Sequence, residues 1–213
     1  AAEQLKSTIL VFDAFHDVSE KATDGNNLAK SVIESWANAE WFLKNKEVPK
    51  SIKTIVFKAN GETNTDDLSP AQDAWSRPDI PLHALAMFKM ERDGLTPDIP
   101  GEIGPMTQIE EIKSNNLPVT FIGDVLGTGS SRKSATNSVL WFFGDDIPGV
   151  PNKRSGGICF GTKVAPIFFN TMEDAGALVF EASVDDISHG DIVEIFPYDG
   201  KIVDEVGNII TTF

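Results

Sequence analysis

The spacing of apolar residues changes near residue 50, and this change limits the folds that the chain can adopt. Before that point, apolar side chains recur every three to four residues, which is typical of amphipathic helices. They form two sets: Leu5, Ile9, Phe12 and Phe15, then Leu28, Val32, Trp36 and Phe42 with Ile33 and Leu43 alongside. The polar segment from Thr23 to Asn27 separates the sets. We therefore expect residues 1–50 to form two helices of about 18–20 residues joined by a short turn, as the end of a larger helical array.

From Ser51 onwards strands and helices mix, so we predict a second domain over residues 51–213 with an α/β fold. The alternating segment from Ile52 to Ala59 predicts a strand that ends at Asn60 and Gly61. Further strands are predicted at 118–122, 158–160 and 178–182, and helices near 82–92, 107–115, 132–143 and 164–175. Loops are predicted at 62–81 and 144–157, and an antiparallel meander over 191–213.

The net charge of the chain disfavours some classes of binding partner. The chain has 18 basic and 32 acidic residues, a formal net charge of −14. Such a surface repels nucleic acid and anionic lipid at long range. No apolar run approaches the roughly 18 residues that cross a bilayer, so no membrane span is expected.

The cysteine content and the first residues predict a cytoplasmic piece of a longer protein. Cys159 is the only cysteine, so no internal disulfide forms, which fits a reducing cytoplasm. One cysteine alone cannot hold an iron–sulfur cluster. The first ten residues, AAEQLKSTIL, include neither an initiating Met nor the features of a signal peptide. We therefore expect the chain to be a cut or processed part of a longer protein.

The segment GDVLGTGSSRK, from Gly123 to Lys133, follows a predicted strand and opens a predicted helix. Free amides at a helix start, with the positive end of the helix dipole, favour an anion. The segment fits neither a Walker loop, nor a dinucleotide fingerprint, nor a nucleophile elbow. Ser130 and Ser131 followed by Arg132 instead suit carboxylates, because arginine binds a carboxylate through two hydrogen bonds. The alternative is a plain turn in which Ser131 is an ordinary N-cap.

Local charge favours the anion site. The region from Gly123 to Asn170 has five basic residues against three acidic ones, which gives a local excess of two positive charges in an acidic chain. Such a region would attract a small polycarboxylate. The alternative is a solvated loop with unrelated charges. The basic residues are Arg132, Lys133, Lys153, Arg154 and Lys163.

Three motifs together resemble the swivel domain of the bacterial aconitase B family. They are NTDDLSP at 64–70, GDVLGTGSSRK at 123–133 and APIFFNTMEDAG at 165–176. The resemblance covers the whole chain and implies that residues 1–50 are the end of a HEAT-like helical domain and 51–213 the swivelling β/β/α domain. Gly-Ser-Ser-Arg is shared with other aconitases and with isopropylmalate isomerases, whereas the following run SATNSVLW at 134–141 is closer to the B type.

The resemblance implies a lyase of the tricarboxylic acid cycle that interconverts citrate and isocitrate through cis-aconitate. It implies a [4Fe–4S] cluster whose ligands lie outside this chain, in the cluster-binding domains of the same polypeptide. Some family members also hydrate 2-methyl-cis-aconitate. A homodimer and messenger RNA are further partners that the family implies.

The glycine-rich motif also implies roles for individual residues. Ser130 resembles the serine that acts as the family's base and removes a proton from the carbon next to a carboxylate. Gly129, Ser131 and Arg132 resemble the residues that hold substrate carboxylates. This chain, without the cluster-binding part, is expected to have no turnover.

A second group of residues resembles a Thr-Thr-Asp-His pattern of other aconitases. Thr65 and Asp66 match it, with Thr65 near the substrate and Asp66 supporting the reaction. Asp67 stands where those proteins have histidine, so no role is carried over to it. Arg77 lies near the position of the family's other carboxylate-binding arginine at a different spacing, and the alternative is an arginine in a surface turn.

Two other classes of function stay open at this point. An isopropylmalate-isomerase-type subunit would have the same glycine-rich loop, but the helical hairpin and the B-type run favour aconitase. An RNA-binding or regulatory module is disfavoured by the acidic balance and by the lack of an aromatic–basic stripe.

Overall fold

The computed structural model describes residues 1–6, 12–40 and 47–213. Contacts divide the chain into two compact units, one of residues 1–48 with 148–151 and the other of residues 49–147 with 152–213. Each unit has an apolar cluster of its own.

The first unit is helical, with α1 (Ala2–Lys6), α2 (Phe12–Thr23) and α3 (Asn27–Ala37). Asn26 caps α3, since its side chain accepts hydrogen bonds from the amides of Leu28 and Ala29. The turn predicted between the helices is therefore confirmed, although α3 is shorter than predicted. Ile9, Phe42 and Leu43 lie outside the described residues, as does the side chain of Phe12. Among the described residues of this unit, the buried apolar cluster is Val18, Ala29, Val32 and Trp36.

The second unit contains a seven-stranded mixed sheet, which confirms an α/β fold. Its order is β6-β5-β2-β1-β7-β8-β9. The parallel part is β1 (Ile52–Asn64), β2 (Val119–Thr128), β5 (Ile158–Val164) and β6 (Leu178–Glu181). The antiparallel part adds β7 (Ile192–Phe196), β8 (Lys201–Val203) and β9 (Ile209–Thr212), which confirms the predicted meander.

Helices connect the strands. They are α4 (Thr65–Leu68), α5 (Ile80–Ala84), α6 (Met106–Lys113), α7 (Arg132–Phe143) and α8 (Pro166–Asp174), with one 3₁₀ turn at Ala71–Asp73. The start and end predicted for the helix at 132–143 are confirmed. A separate hairpin, β3 (Asp145–Ile147) with β4 (Val150–Ser155), occupies the segment predicted as a loop, so that prediction is wrong.

The sheet is apolar on both faces. Neighbouring residues in a strand point to opposite sides, so Phe57 and Phe121 join one cluster while Val56 and Ile122 join the other. Parallel strands are typically covered on both faces. This burial fixes the register of β1 and β2, whose ends carry the candidate site.

Pairing continues past a glycine in three strands, β1, β2 and β5, so each strand extends beyond its predicted end. β1 passes through Gly61, where φ is +74°, and resumes with a shift of register between Ala59 and Glu62. β2 likewise extends to Thr128, so the predicted turn from Gly123 is much shorter than expected. The helix predicted at 82–92 is also wrong beyond Ala84.

Candidate functional site

The turn of Gly129, Ser130 and Ser131 connects the end of β2 to the start of α7. The first hydrogen bond of the helix runs from the amide of Ala135 to the carbonyl of Ser131, over 3.0 Å. The amides of residues 132–134 therefore have no carbonyl of the helix to accept them, which is the arrangement that binds anions. Ser130 is exposed at this helix end.

Ser131 occupies the N-cap position, but its side chain makes no capping hydrogen bond. Ser134 Oγ instead donates to the Ser131 carbonyl over 3.0 Å. The ordinary N-cap considered from the sequence is therefore not what the structure shows. The Ser131 hydroxyl stays available to a ligand.

A surface cavity of about 310 Å³ lies at this helix end. Within the described part of the chain, the side chains of Arg132 and Lys133 have no ion-pair partner, so both charges can act on an anion in the cavity. The cavity is lined by Ser130, Ser131, Arg132, Lys133, Ser134, Ile167 and Thr171.

The positive charge at the cavity comes from fewer residues than the sequence suggested. Arg154 Nε pairs with Asp146 Oδ1 over 2.9 Å, and Lys163 Nζ pairs with Glu181 Oε2 over 3.4 Å. These two cations are therefore partly neutralised elsewhere. Arg132 and Lys133 are the members of the predicted basic patch that line the cavity.

Thr65 lies behind the turn. Its side chain is buried, with 1% of the residue exposed, and its Oγ1 accepts a hydrogen bond from the amide of Ser131 over 3.2 Å. Gly129 packs directly on it, since a Cβ at Gly129 would lie 2.4 Å from Thr65 Oγ1. The backbone at Gly129 has φ +108°, a conformation that side-chain-bearing residues rarely adopt.

Asp66 and Asp67 begin α4 and have different surroundings. Asn64 caps this helix, accepting from both of their amides, and Asp67 Oδ2 accepts from the Asn64 amide over 2.8 Å. Asp67 also pairs with Arg92 Nη1 over 3.7 Å. The Asp66 carboxylate is exposed and lines a cavity of about 800 Å³ next to α4.

Arg77 is not among the residues that line either of these two cavities. Its Nη2 donates to the carbonyl of Glu102 over 2.8 Å, and its Nη1 donates to the carbonyl of Leu82 over 3.5 Å. The guanidinium thus ties two loops together. The structure places Ser130, Ser131 and Arg132 in the lining of one cavity, and Thr65 is hydrogen-bonded to the Ser131 amide behind them. Asp66 follows Thr65 in sequence, and Arg77 lies apart from this group.

Sequence reasoning missed two residues around the turn. Glu62 Oε1 accepts a hydrogen bond from Thr128 Oγ1 over 2.6 Å. Arg92 donates from Nη2 to the carbonyls of Asn60 and Glu62, over 2.7 and 2.8 Å, and so holds the end of β1. Neither contact can be predicted from a local pattern, because the partners are about 30 to 66 residues apart in sequence and meet only in the folded chain.

The described residues contain no group of three or more His, Cys, Asp or Glu placed to hold a metal ion. Cys159 is buried in β5, and burial raises the pKa of its thiol far above the usual range, so it stays protonated. Across the described ranges, no helix is long and apolar enough to span a bilayer.

Comparison with known proteins gives two family models. The model described as "Aconitate hydratase 2 N-terminus" matches residues 54–213, and the one described as "Aconitate B N-terminal domain" matches residues 1–42. Proteins named Aconitate hydratase B are 65% identical in Pseudomonas aeruginosa and 59% identical in Escherichia coli, each over 100% of this chain. The chain spans 25% of the length of each of these relatives.

Among solved structures, the 3-isopropylmalate dehydratase of Methanocaldococcus jannaschii has a similar fold. The TM-score is 0.50 at 20% identity, covering 76% of this chain and 81% of that one. At this identity the likeness supports the fold alone. Because one family model covers residues 54–213 and these relatives match the whole of this chain, the chain belongs to the aconitate hydratase 2 family.

Proposed function

We propose that this chain is the substrate-holding part of an aconitate hydratase that interconverts citrate and isocitrate through cis-aconitate. The observation that carries the proposal is the open helix end at α7, where Ser130, Ser131 and Arg132 line one cavity. Family membership favours this activity over isopropylmalate isomerisation. We also propose the division into a HEAT-like helical part at 1–50 and a swivel domain at 51–213.

Ser130 is proposed as the base that removes the proton from the carbon next to a substrate carboxylate. A serine hydroxyl is a weak base at neutral pH, so its anionic form needs electrostatic support. The positive end of the α7 dipole and the Arg132 guanidinium supply that support. Exposure of Ser130 leaves its hydroxyl within reach of a substrate.

Ser131 and Arg132 are proposed to hold substrate carboxylates. The guanidinium binds one carboxylate through two parallel hydrogen bonds, and the amides of residues 132–134 can share a carboxylate oxygen. The backbone of Gly129 allows close approach. The roles of Asp66 and Arg77 stay predictions of the family resemblance, since neither residue lines the cavity at α7.

A [4Fe–4S] cluster does not fit the residues of this chain. Such clusters are held by several cysteine thiolates, whereas this chain has one cysteine, buried and protonated. If the full enzyme uses a cluster, its ligands lie in other parts of the polypeptide. The 213-residue chain alone is therefore expected to show no citrate turnover.

The partners proposed for the complete enzyme are the three tricarboxylates and its cluster-binding domains. Activity on 2-methylisocitrate, a homodimer and messenger RNA stay predictions of the family resemblance, and a cytoplasmic location stays a prediction from the cysteine content. The net charge of −14 works against direct RNA binding by this region. A gel-shift titration over increasing salt checks this, and a steep salt dependence would favour the RNA-binding alternative.

Kinetics of the complete polypeptide test the proposal. Ser130→Ala is expected to lower kcat for citrate dehydration by about 10²- to 10⁴-fold with a smaller change in KM. Ser188→Ala, at another exposed serine, is the matched control and is expected to leave both constants unchanged. A Ser130→Ala enzyme with the kcat of the wild type would overturn the role of Ser130. A higher rate with isopropylmalate than with citrate would overturn the substrate class.

A further inference from the structure

The segment from Glu62 to Thr65 meets the turn of residues 129–131 because of strand register. β1 and β2 are parallel and end at the same edge, where Asn64 pairs with Thr128. The residues that follow the two strands therefore emerge side by side. One strand leads into α4 and the other into the turn and α7.

Hydrogen bonds join the segment to both sides of the turn. Before the turn, Thr128 Oγ1 donates to Glu62 Oε1 over 2.6 Å. After it, the Ser131 amide donates to Thr65 Oγ1 over 3.2 Å. Between these contacts Gly129 lies against Thr65, with no room for a Cβ. The turn is thus held before and after Ser130, whose hydroxyl stays exposed.

We propose that the segment from Glu62 to Thr65 is a clamp that sets the shape of the turn, with Thr65 as its main positioning residue. The inference rests on the proposed function, since it concerns how the same turn is prepared for a tricarboxylate. Thr65 exposes only 1% of its surface, so it acts through the Ser131 amide rather than by touching a ligand. Glu62 reinforces the clamp from an exposed position.

The clamp changes which donors a ligand meets. The Ser131 amide is already engaged with Thr65. A bound carboxylate is therefore left with the amides of residues 132–134, the serine hydroxyls and the Arg132 guanidinium. Loss of the Thr65 oxygen leaves the Ser131 amide without its acceptor, and the turn then samples other shapes.

Matched variants of the 213-residue chain test this. Thr65→Val removes the acceptor at nearly constant shape, and Thr65→Ser keeps it. Thr54→Val is the control, because Thr54 in β1 is as buried as Thr65 and its hydroxyl bonds to Thr120 and to the Pro118 carbonyl, away from the turn. The readouts are hydrogen exchange of the Ser131 amide and citrate affinity from an NMR titration.

Thr65→Val is expected to speed exchange of the Ser131 amide by about tenfold and to weaken citrate binding by about fivefold to tenfold. Thr65→Ser is expected to keep the exchange rate and the citrate affinity within about twofold of the wild type. Thr54→Val is expected to lower thermal stability while leaving the exchange rate and the citrate affinity unchanged. If Thr65→Val kept the wild-type exchange rate of the Ser131 amide and the wild-type citrate affinity, the clamp would be overturned. Equal losses in Thr54→Val would also overturn it, since they would show general destabilisation.

Glu62 gives a second test at an exposed residue, which keeps the inference falsifiable if Thr65→Val fails to fold. Glu62→Ala removes the acceptor for Thr128, whereas Glu62→Gln removes the same charge and keeps an acceptor oxygen. We expect citrate affinity about twofold to threefold lower in Glu62→Ala than in Glu62→Gln. Equal affinities would overturn the role of Glu62. Absence of citrate binding by the wild type, with Ser131 exchange still dependent on Thr65, would overturn the proposed function and leave the clamp standing.

Discussion

Replacing Gly129 with alanine tests whether the turn needs its observed shape. The residue has φ +108°, and an added Cβ would lie 2.4 Å from Thr65 Oγ1. The backbone conformation alone costs a non-glycine residue about 1–3 kcal/mol. The clash with a buried neighbour adds about 1–3 kcal/mol, because Thr65 has little room to move. We therefore expect Gly129→Ala to lower the free energy of unfolding by about 2–6 kcal/mol.

Gly207→Ala provides the matched control. Gly207 also has a positive φ, +92°, but no heavy atom lies within 4 Å of a Cβ built there. Only the conformational cost applies, so we expect a loss of about 1–3 kcal/mol. In a domain of this size each kcal/mol shifts Tm by about 2–4 °C, which a calorimetric scan resolves.

Citrate affinity separates the two variants further. Gly129→Ala is expected to lose binding by at least about tenfold, because the turn moves away from Thr65, while Gly207→Ala retains it. If both variants lost the same free energy of unfolding, Thr65 would not constrain the turn, contrary to our expectation. Wild-type citrate affinity in Gly129→Ala would likewise show that binding does not need the observed shape of the turn.

The remaining predictions concern charge and protonation. Arg132→Lys is expected to weaken citrate binding by about tenfold in a titration, because lysine cannot make the paired hydrogen bonds; unchanged affinity would contradict this. Burial lowers the pKa of His189 below its ordinary 6.5, so the stability that this group contributes is present above pH 6.5 and is lost as the pH falls. His189→Gln is therefore expected to make Tm less sensitive to pH between about 5 and 7, and an unchanged slope would contradict this. The buried Cys159 thiol is expected to resist alkylation by iodoacetamide at about pH 8 until the protein unfolds, and rapid labelling of the folded chain would contradict this.

Much of the architecture was predictable, because the hydrophobic period reflects burial. The helix at 132–143 and the antiparallel strands at the end of the chain follow from local spacing. The ends of β1 and β2 were not predictable in this way. Gly61 reads as a strand end, yet pairing with β2 carries the strand past it. Tertiary pairing thus overrides a local breaker signal.

The candidate site likewise has a part that the sequence predicts and a part that it does not. Ser130, Ser131 and Arg132 are contiguous in sequence, so the helix start that carries them could be located from the chain alone. The contacts of Thr65 with Ser131 and of Glu62 with Thr128 span 66 residues each and depend on strand register. Phe88 shows a related case, since its φ of +57° and the bond from its amide to the Asp67 carbonyl interrupt the helix predicted at 82–92.

We propose that the open end of α7 binds a tricarboxylate. A citrate titration of the isotope-labelled 213-residue chain, followed by amide NMR shifts, tests it most directly. We expect saturable shifts centred on Ser130 and on the amides of residues 132–134, with little change in the β8–β9 hairpin. Shifts absent from that helix end, or centred in the helices of the first unit, would contradict it.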